Sequence, residues 1–410
     1  MNEEAASPNA FASRDYRRFF ATRIVYGLAY QMNIVALGWL VYSVTESAFA
    51  LGMVGLVSFL PVLLASLVSG HVADQYDRRL ITMIGHSVLA ICSLGLLLCA
   101  QAGESGLPYI YALAGTIGLA RAFSNPASQA LMPTLVPRAA LGNAISWNSS
   151  AWQTSAIVGP ALGGLFYALG PVAVFGSTTV MFVAATLLIG SISMRRPKDM
   201  AREPHTLETA LAGFRFIRSR PVIFGAISLD LFAVLLGGAT ALMPIFAKDI
   251  LQTGPWGLGL LRSSVSLGGV FMALALARWP LKRQAGPRML WAVVIFGLAT
   301  IVFGLSTEFW LSMAALFVMG AADMISVYVR QTLVQGETPD GMRGRVSAVS
   351  TVFIGASNEL GEFESGMLSA AVGAVPAVVI GGVGTIAVVG LWAWLFPDLR
   401  KRDHLIPEKL

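Results

Sequence analysis

The chain has 410 residues, 56% of them hydrophobic and 12% charged, with a formal net charge of +6. Soluble domains are about a quarter charged, so a soluble globular enzyme is excluded. A nucleic-acid binder is excluded too, because the basic residues sit in short segments flanking apolar runs. Those runs recur from end to end, and helices satisfy their own backbone within a bilayer, so an all-α polytopic membrane protein is expected.

The start, MNEEAASPNAFASRDYRRFF, opens acidic and shows no cleavage site after a short apolar core, so it is not read as a signal peptide. Twelve spans are predicted, at 19–44, 49–72, 80–100, 107–131, 142–168, 172–194, 222–246, 257–279, 289–305, 310–333, 346–371 and 375–396. Cys92 and Cys99, one heptad apart in the third span, read as packing residues. The loop at 195–220 is the longest and carries HTLETALAGFRFIRSR. Its apolar residues, Leu207, Ala210, Leu211, Phe214 and Ile217, recur at helical spacing, which predicts a short amphipathic helix on the membrane surface. The chain thus divides into a six-helix bundle at 1–194, the middle loop at 195–220 and a second six-helix bundle at 221–410.

Charge sets the expected orientation. With this plan, 23 of the 28 lysines and arginines fall on the side that holds both termini, Lys248 stands alone on the other, and Arg23, Arg121, Arg262 and Arg330 lie inside spans. By the positive-inside rule both termini are cytoplasmic. The halves also resemble each other. At an offset of 202, residues 129–164 align without gaps on 331–366, with Pro137 on Pro339, Gly142 on Gly344 and Gly159 on Gly361. Six spans repeated in parallel is a transporter architecture.

Three motifs carry further information. After the second span stands GHVADQYDRR, in which Gly70 permits close helix approach, Asp74 and Asp77 can meet cations or helix N-termini, and Arg78 and Arg79 can anchor the loop to an anionic leaflet. The fourth span carries Arg121 in GLARAFSNPASQALMPTLVP, and an arginine at that depth costs about 2.5 kcal/mol or more unless it meets a partner or water. The fifth span contains SAIVGPALGG, whose Gly159, Gly163 and Gly164 form a smooth packing face beside a kink at Pro160.

These motifs resemble the major facilitator superfamily along the whole chain. GHVADQYDRR matches its G-x-x-x-D-x-x-x-R-[KR] gate signature, with Gln75 where an arginine is usual. SAIVGPALGG is similar to its antiporter signature, with Ser155 replacing the first glycine. RRFFATRIVYGLA, LAGFRFIRS and TPDGMRGRVSA place the resemblance near the enterobactin-exporter-like branch of siderophore and drug efflux carriers. The resemblance implies a fold of two pseudo-symmetric six-helix bundles, a monomer in the inner membrane, and proton-driven export of a small molecule by alternating access. It also ties an arginine at the place of Arg121 to proton coupling. No cofactor and no structural metal are expected.

The stretch GASNELGEFESG puts Glu359, Glu362 and Glu364 inside the eleventh span. At 100° per residue Glu359 and Glu362 lie about 60° apart on one face, and Glu364 points about 140° away from Glu359. Two carboxylates one turn apart in a low-dielectric site cannot both ionise cheaply, so the pair is expected to share a proton. Asp230 and Asp323 are further embedded acids, and Asp323 is the repeat counterpart of Arg121. Glu359, Glu362, Asp323, Asp230 and Arg121 are therefore the candidate proton-coupling residues, while the first half holds no acid well inside a span. The other reading of the glutamate pair is a network with Arg262, Arg330 or Asn358 that braces helices. Tyr26, Tyr30, Trp147, Trp152 and Tyr328, with Asn33 and Asn358, are the candidate substrate-binding residues, although aromatics in spans also simply pack. The rival transport readings are a divalent-metal exporter using the span 10 and span 11 carboxylates and an inward proton symporter. A sensor with a disabled gate is a third, and scattered histidines argue against an enzyme.

Overall fold

A computed structural model describes residues 9–193, 207–281 and 283–405. Within them the chain is helical throughout. The helices are α1 (Arg14–Thr45), α2 (Ala48–Gln75), α3 (Arg78–Ala102), α4 (Leu107–Leu131), α5 (Leu141–Ala168), α6 (Pro171–Gly190), α7 (Leu207–Ser219), α8 (Pro221–Leu236), α9 (Ala239–Ile245), α10 (Gly254–Arg278), α11 (Ala285–Leu305), α12 (Phe309–Glu337), α13 (Asp340–Val372), α14 (Ala374–Leu395) and α15 (Pro397–Arg400). The twelve expected spans fall on α1 to α6, on α8 with α9, and on α10 to α14. Nine segments among the described residues are long and apolar enough to cross a membrane. α4, α5 and α13 are equally long but carry Arg121, the Asn148 region and the three glutamates.

Glycine makes the tight turns. Gly103, Gly170, Gly254 and Gly373 have φ of 63°, 112°, 76° and 93°, in the region that side chains resist; Gly254 opens α10 and the other three stand between consecutive helices. The seventh span differs from expectation. It breaks at Gly237–Gly238 and ends in a π turn at Phe246–Ile250. Close approach at the break leaves room only for glycine. A β-carbon at Gly237 would lie 2.6 Å from Phe296, and one at Gly238 would lie 2.6 Å from the Gly361 carbonyl oxygen.

Two compact units form, one of Met1–Leu40 with Val57–His205, the other of Val41–Leu56 with Thr206–Leu410. The tip of the α1–α2 hairpin therefore packs with the second unit. Inside each unit the packing repeats: α3 lies on α4 and α6, and α11 lies on α12 and α14. The closest approaches repeat too. A β-carbon at Gly118 would overlap the Ser58 carbonyl of α2, and one at Gly320 would overlap the Val265 carbonyl of α10. Gly118 and Gly320 are 202 residues apart, the offset of the sequence repeat.

In the middle loop, α7 is the helix that precedes the second bundle. Residues 194–206 and the side chains of 207–211 lie outside the described residues. The rest of the apolar side of α7 packs on protein: Gly213 sits against the Arg345 backbone, the rings of Phe214 and Phe353 stack at 6.3 Å, and Ile217 is buried with Ile223, Val346 and Val349. Arg215 and Arg218 stay exposed.

Candidate functional site

In the first unit the gate motif performs a local task. The Asp77 carboxylate caps α3, accepting from the amides of Arg79 (2.8 Å) and Leu80 (3.1 Å). Arg78 donates to the carbonyls of Ala73 (3.2 Å) and Ala130 (3.1 Å), and Arg79 to that of Ile192 (2.6 Å). Those carbonyls lie at the C-terminal ends of α2, α4 and α6, where cations are favoured. The two arginines, read as lipid anchors from sequence, thus tie three helix ends together. Gly70 lies near the end of α2, as does Asp74, whose side chain is outside the described residues.

The glycines of α5 do provide a close-packing face. A β-carbon at Gly159 would lie 2.5 Å from Gln31 Cβ, and one at Gly163 would lie 2.8 Å from Met32 Cα, so α5 rests directly on α1. Pro160 and Gly164 are buried beside them. This contact carries Trp152 of α5 to the α1 tyrosines. Tyr26 and Tyr30 stack at 6.1 Å, Tyr30 and Trp152 at 6.5 Å, and His86 of α3 stacks on Tyr26 at 4.6 Å. The guanidinium of Arg121 lies over Tyr30 at 4.1 Å, and that of Arg23 lies 6.0 Å from Trp152 while donating from Nε to Asn148 (2.9 Å).

Two candidates of the first unit are not in this column. Trp147 packs edge-on against Phe11 and Phe20, at 5.3 Å and 5.9 Å. It stands five residues before Trp152, about 140° away around the helix. Asn33 donates to Ser93 (3.2 Å), which bonds Thr178 (2.7 Å), so it is occupied in a buried bridge between α1, α3 and α6.

The second unit gathers the acids in two places. Arg330 of α12 pairs with Asp230 of α8 at 3.3 Å, with both side chains under a tenth exposed. Ser326 donates to the same aspartate at 3.5 Å. Asp323, one turn before Ser326, adds a second carboxylate that feels the charges of both members of the pair. A cavity of about 10 Å³, lined by Asp230, Asp323, Ser326 and Phe296 among others, lies between them, room for about one water. The second place is the start of α2 against α13. A β-carbon at Gly55 would lie 3.2 Å from Oε2 of Glu362, and Gly52 sits against Gly366. Arg262 of α10 attracts the Glu362 carboxylate. Glu359 is partly buried, its carbonyl facing Gly55, while Asn358 is exposed and Glu364 is met by Ser365 at 3.5 Å. Tyr328 packs on the apolar cluster around Met289 and Trp392.

Sequence reasoning missed two groups. Arg23 stood out only as an embedded charge, because its partners come from α5, far along the chain. The second is a clasp in the second unit. Lys248 pairs with Glu46 at 2.9 Å and lies over the Tyr42 ring at 5.3 Å, and the Tyr42 hydroxyl bonds Asp249. The signal was the isolation of Lys248 on the weakly charged side.

A family model described as transmembrane secretion effector matches residues 6–408. The chain belongs to that family. This transporter is similar to an enterobactin exporter of Citrobacter koseri, at 28% identity over 91% of each chain. It is similar also to one of Shigella boydii serotype 18, at 27% identity over 93% of each. Among solved structures it resembles a bacterial homologue of the iron transporter ferroportin (TM-score 0.74, 15% identity, 95% of this chain and 99% of that one). The nucleoside transporter NupG gives a TM-score of 0.70 at 14% identity, with 95% and 99% covered. These likenesses establish the major facilitator fold. The protein is a multi-pass secondary membrane transporter.

Proposed function

We propose that this transporter is a proton-coupled exporter of a small organic molecule, a siderophore or a drug-like compound, working as an antiporter by alternating access. It would sit in the inner membrane as a monomer, with both termini cytoplasmic. The observation that carries the reading is the buried cluster of Asp230, Asp323 and Arg330 beside its cavity. Asp230 pairs with the one guanidinium and Asp323 lies within the field of both, so a single proton taken up or released by the two carboxylates changes the net charge of the site between zero and minus one. In a low-dielectric interior that difference is large enough to bias a conformational equilibrium. Glu362, attracted by Arg262 and pressed on Gly55, would couple the same charge change to movement of α2 on α13, with Glu359 one turn before it. Arg121 would face the substrate. The enterobactin exporters to which the chain is similar support export of an organic metabolite over metal transport. So does the placement of the acids: among the described residues no three His, Cys, Asp or Glu side chains converge on a metal site, and Asp323 and Glu362 belong to separate clusters.

The test is mass spectrometry of spent medium and cell extract from cells with the protein, without it, and with Asp323→Asn. The reading expects a metabolite that moves from medium to cell interior in the second and third strains. Identical media in all three strains would reject it.

A further inference from the structure

Within the first unit, the aromatic column of His86, Tyr26, Tyr30 and Trp152 carries two guanidinium groups along its side. Arg121 covers Tyr30 at 4.1 Å, and Arg23 approaches Trp152 at 6.0 Å. Asn148 fixes Arg23 through Nε at 2.9 Å. No carboxylate partners Arg23 among the described residues, and α1 to α6 carry acids only in their end turns. The column is closed at one end by His86, which is 4% exposed and whose Nδ1 has no hydrogen-bond partner among the described residues. Toward the other end Arg23, Arg121 and Trp152 are only partly buried.

We propose that this cluster is the substrate-selecting wall of the first unit, and that it selects planar organic anions, with Arg23 and Arg121 as the charge readers and Tyr30 and Trp152 as the stacking surface. The inference rests on the exporter reading and gives it a substrate class. A guanidinium lying over a ring keeps its N–H groups in its own plane, so they can meet an anion in paired, charge-assisted bonds. A flat ligand can extend the aromatic stack while its acid group meets those edges. A positive charge at membrane depth is costly, and for Arg23, whose polar contact is the neutral Asn148, an anionic ligand is a group that relieves it. A cationic drug or a free metal ion would meet like charge at the same wall, which is selection by repulsion. Asn148 is a positioning residue, because it holds Arg23 at Trp152.

The test uses three probes with one ring system: naphthoate, naphthamide and naphthylmethylammonium, each titrated by equilibrium dialysis against the full chain in nanodiscs. Naphthoate is expected to bind about tenfold more tightly than the neutral amide, and the cation is expected to bind least. Arg23→Gln should cut the preference for naphthoate over naphthamide several-fold, Arg121 retaining the remainder. Arg23→Lys should restore part of it, which a merely structural role would not do. Equal binding of the three probes, tightest binding of the cation, no binding of any, or an unchanged preference in Arg23→Gln would each overturn the inference. Should Arg23→Gln not fold, the charge series on the unaltered protein decides. Proton-driven export with no preference among the probes would sink this inference alone. A clear anion preference without proton coupling would sink the exporter mechanism and leave the wall standing.

Discussion

At the scale of single residues, close contacts separate structure from function. Gly55 is where the two meet. A β-carbon there would lie 3.2 Å from both the Cβ and the Oε2 of Glu362, so that residue must give by a few tenths of an ångström and its carboxyl must shift. Gly55→Ala should therefore leave the protein folded and slow export several-fold by displacing Glu362. Gly176→Ala, with nothing within 4 Å, serves as the control and should alter neither. Comparing export rates at matched expression checks this, and equal rates in the two variants would contradict the role given to Glu362. The Asp77 cap makes a different demand. Asp77→Ala removes the carboxylate oxygen that accepts from two amides at the start of α3 and should lower stability by about 1 kcal/mol, read as a lower unfolding midpoint in detergent. Embedded acids and arginines were legible as residue types because their burial is costly anywhere in a span. Their partners were not legible. Rotation about a helix decides whether Trp147 or Trp152 joins the tyrosines, and an error of some tens of degrees reverses the answer.

At the scale of elements, the repeat is physical as well as textual. Gly118 and Gly320, one repeat apart, each bring two helices to backbone contact. Backbone cannot give way, so Gly118→Ala and Gly320→Ala should each destabilise by about 1–3 kcal/mol, measurable as a fall in thermal midpoint and in yield. A neutral result at either would show that the helices there are free to separate. The span count and the offset of 202 were readable because apolar length and glycine–proline punctuation are written locally. The break at Gly237–Gly238 was not, since it answers to Phe296 and Gly361 from other helices. Nor was the seat of α7: an amphipathic pattern states that one face wants cover, and lipid and α13 satisfy it equally well. The Lys248–Glu46 clasp is exposed on its acidic side, 75% for Glu46, and Lys248 holds that carboxylate below its ordinary range. Exposed pairs contribute little to stability. Lys248→Gln should thus barely move the unfolding midpoint, and any change in export rate would come from freeing the hairpin tip.

At the scale of the whole molecule, the C-terminal segment secures the second unit. The carbonyls of Asp403 and Arg402 accept from Ala285 (3.0 Å) and Gly286 (2.9 Å), Arg402 pairs with Glu337 at 2.6 Å, and Leu399 and Leu405 are buried. The amide of Gln284 and the guanidinium of Arg283 hold the Asp403 carboxyl below its ordinary value. A depressed carboxylate contributes its stabilisation above the unfolded-state value and loses it as pH falls through the folded-state value. The hold is therefore complete at neutral pH and weakens below about pH 4. Hydrogen exchange at Ala285 and Gly286 should be slower in the unaltered protein than in Asp403→Asn at pH 6, and the two should converge in acid. A difference that persists unchanged at pH 2.5 would contradict this assignment.

In the proposed mechanism, an uptake of protons at the α8–α12 acids drives a compound outward. The most direct measurement is proton release from everted membrane vesicles that have been acidified inside by respiration. Addition of the compound identified in spent medium should discharge the pH gradient in vesicles bearing the unaltered protein and leave it intact in those bearing Asp323→Asn. Accumulation of the compound with no change in the gradient would contradict the claim.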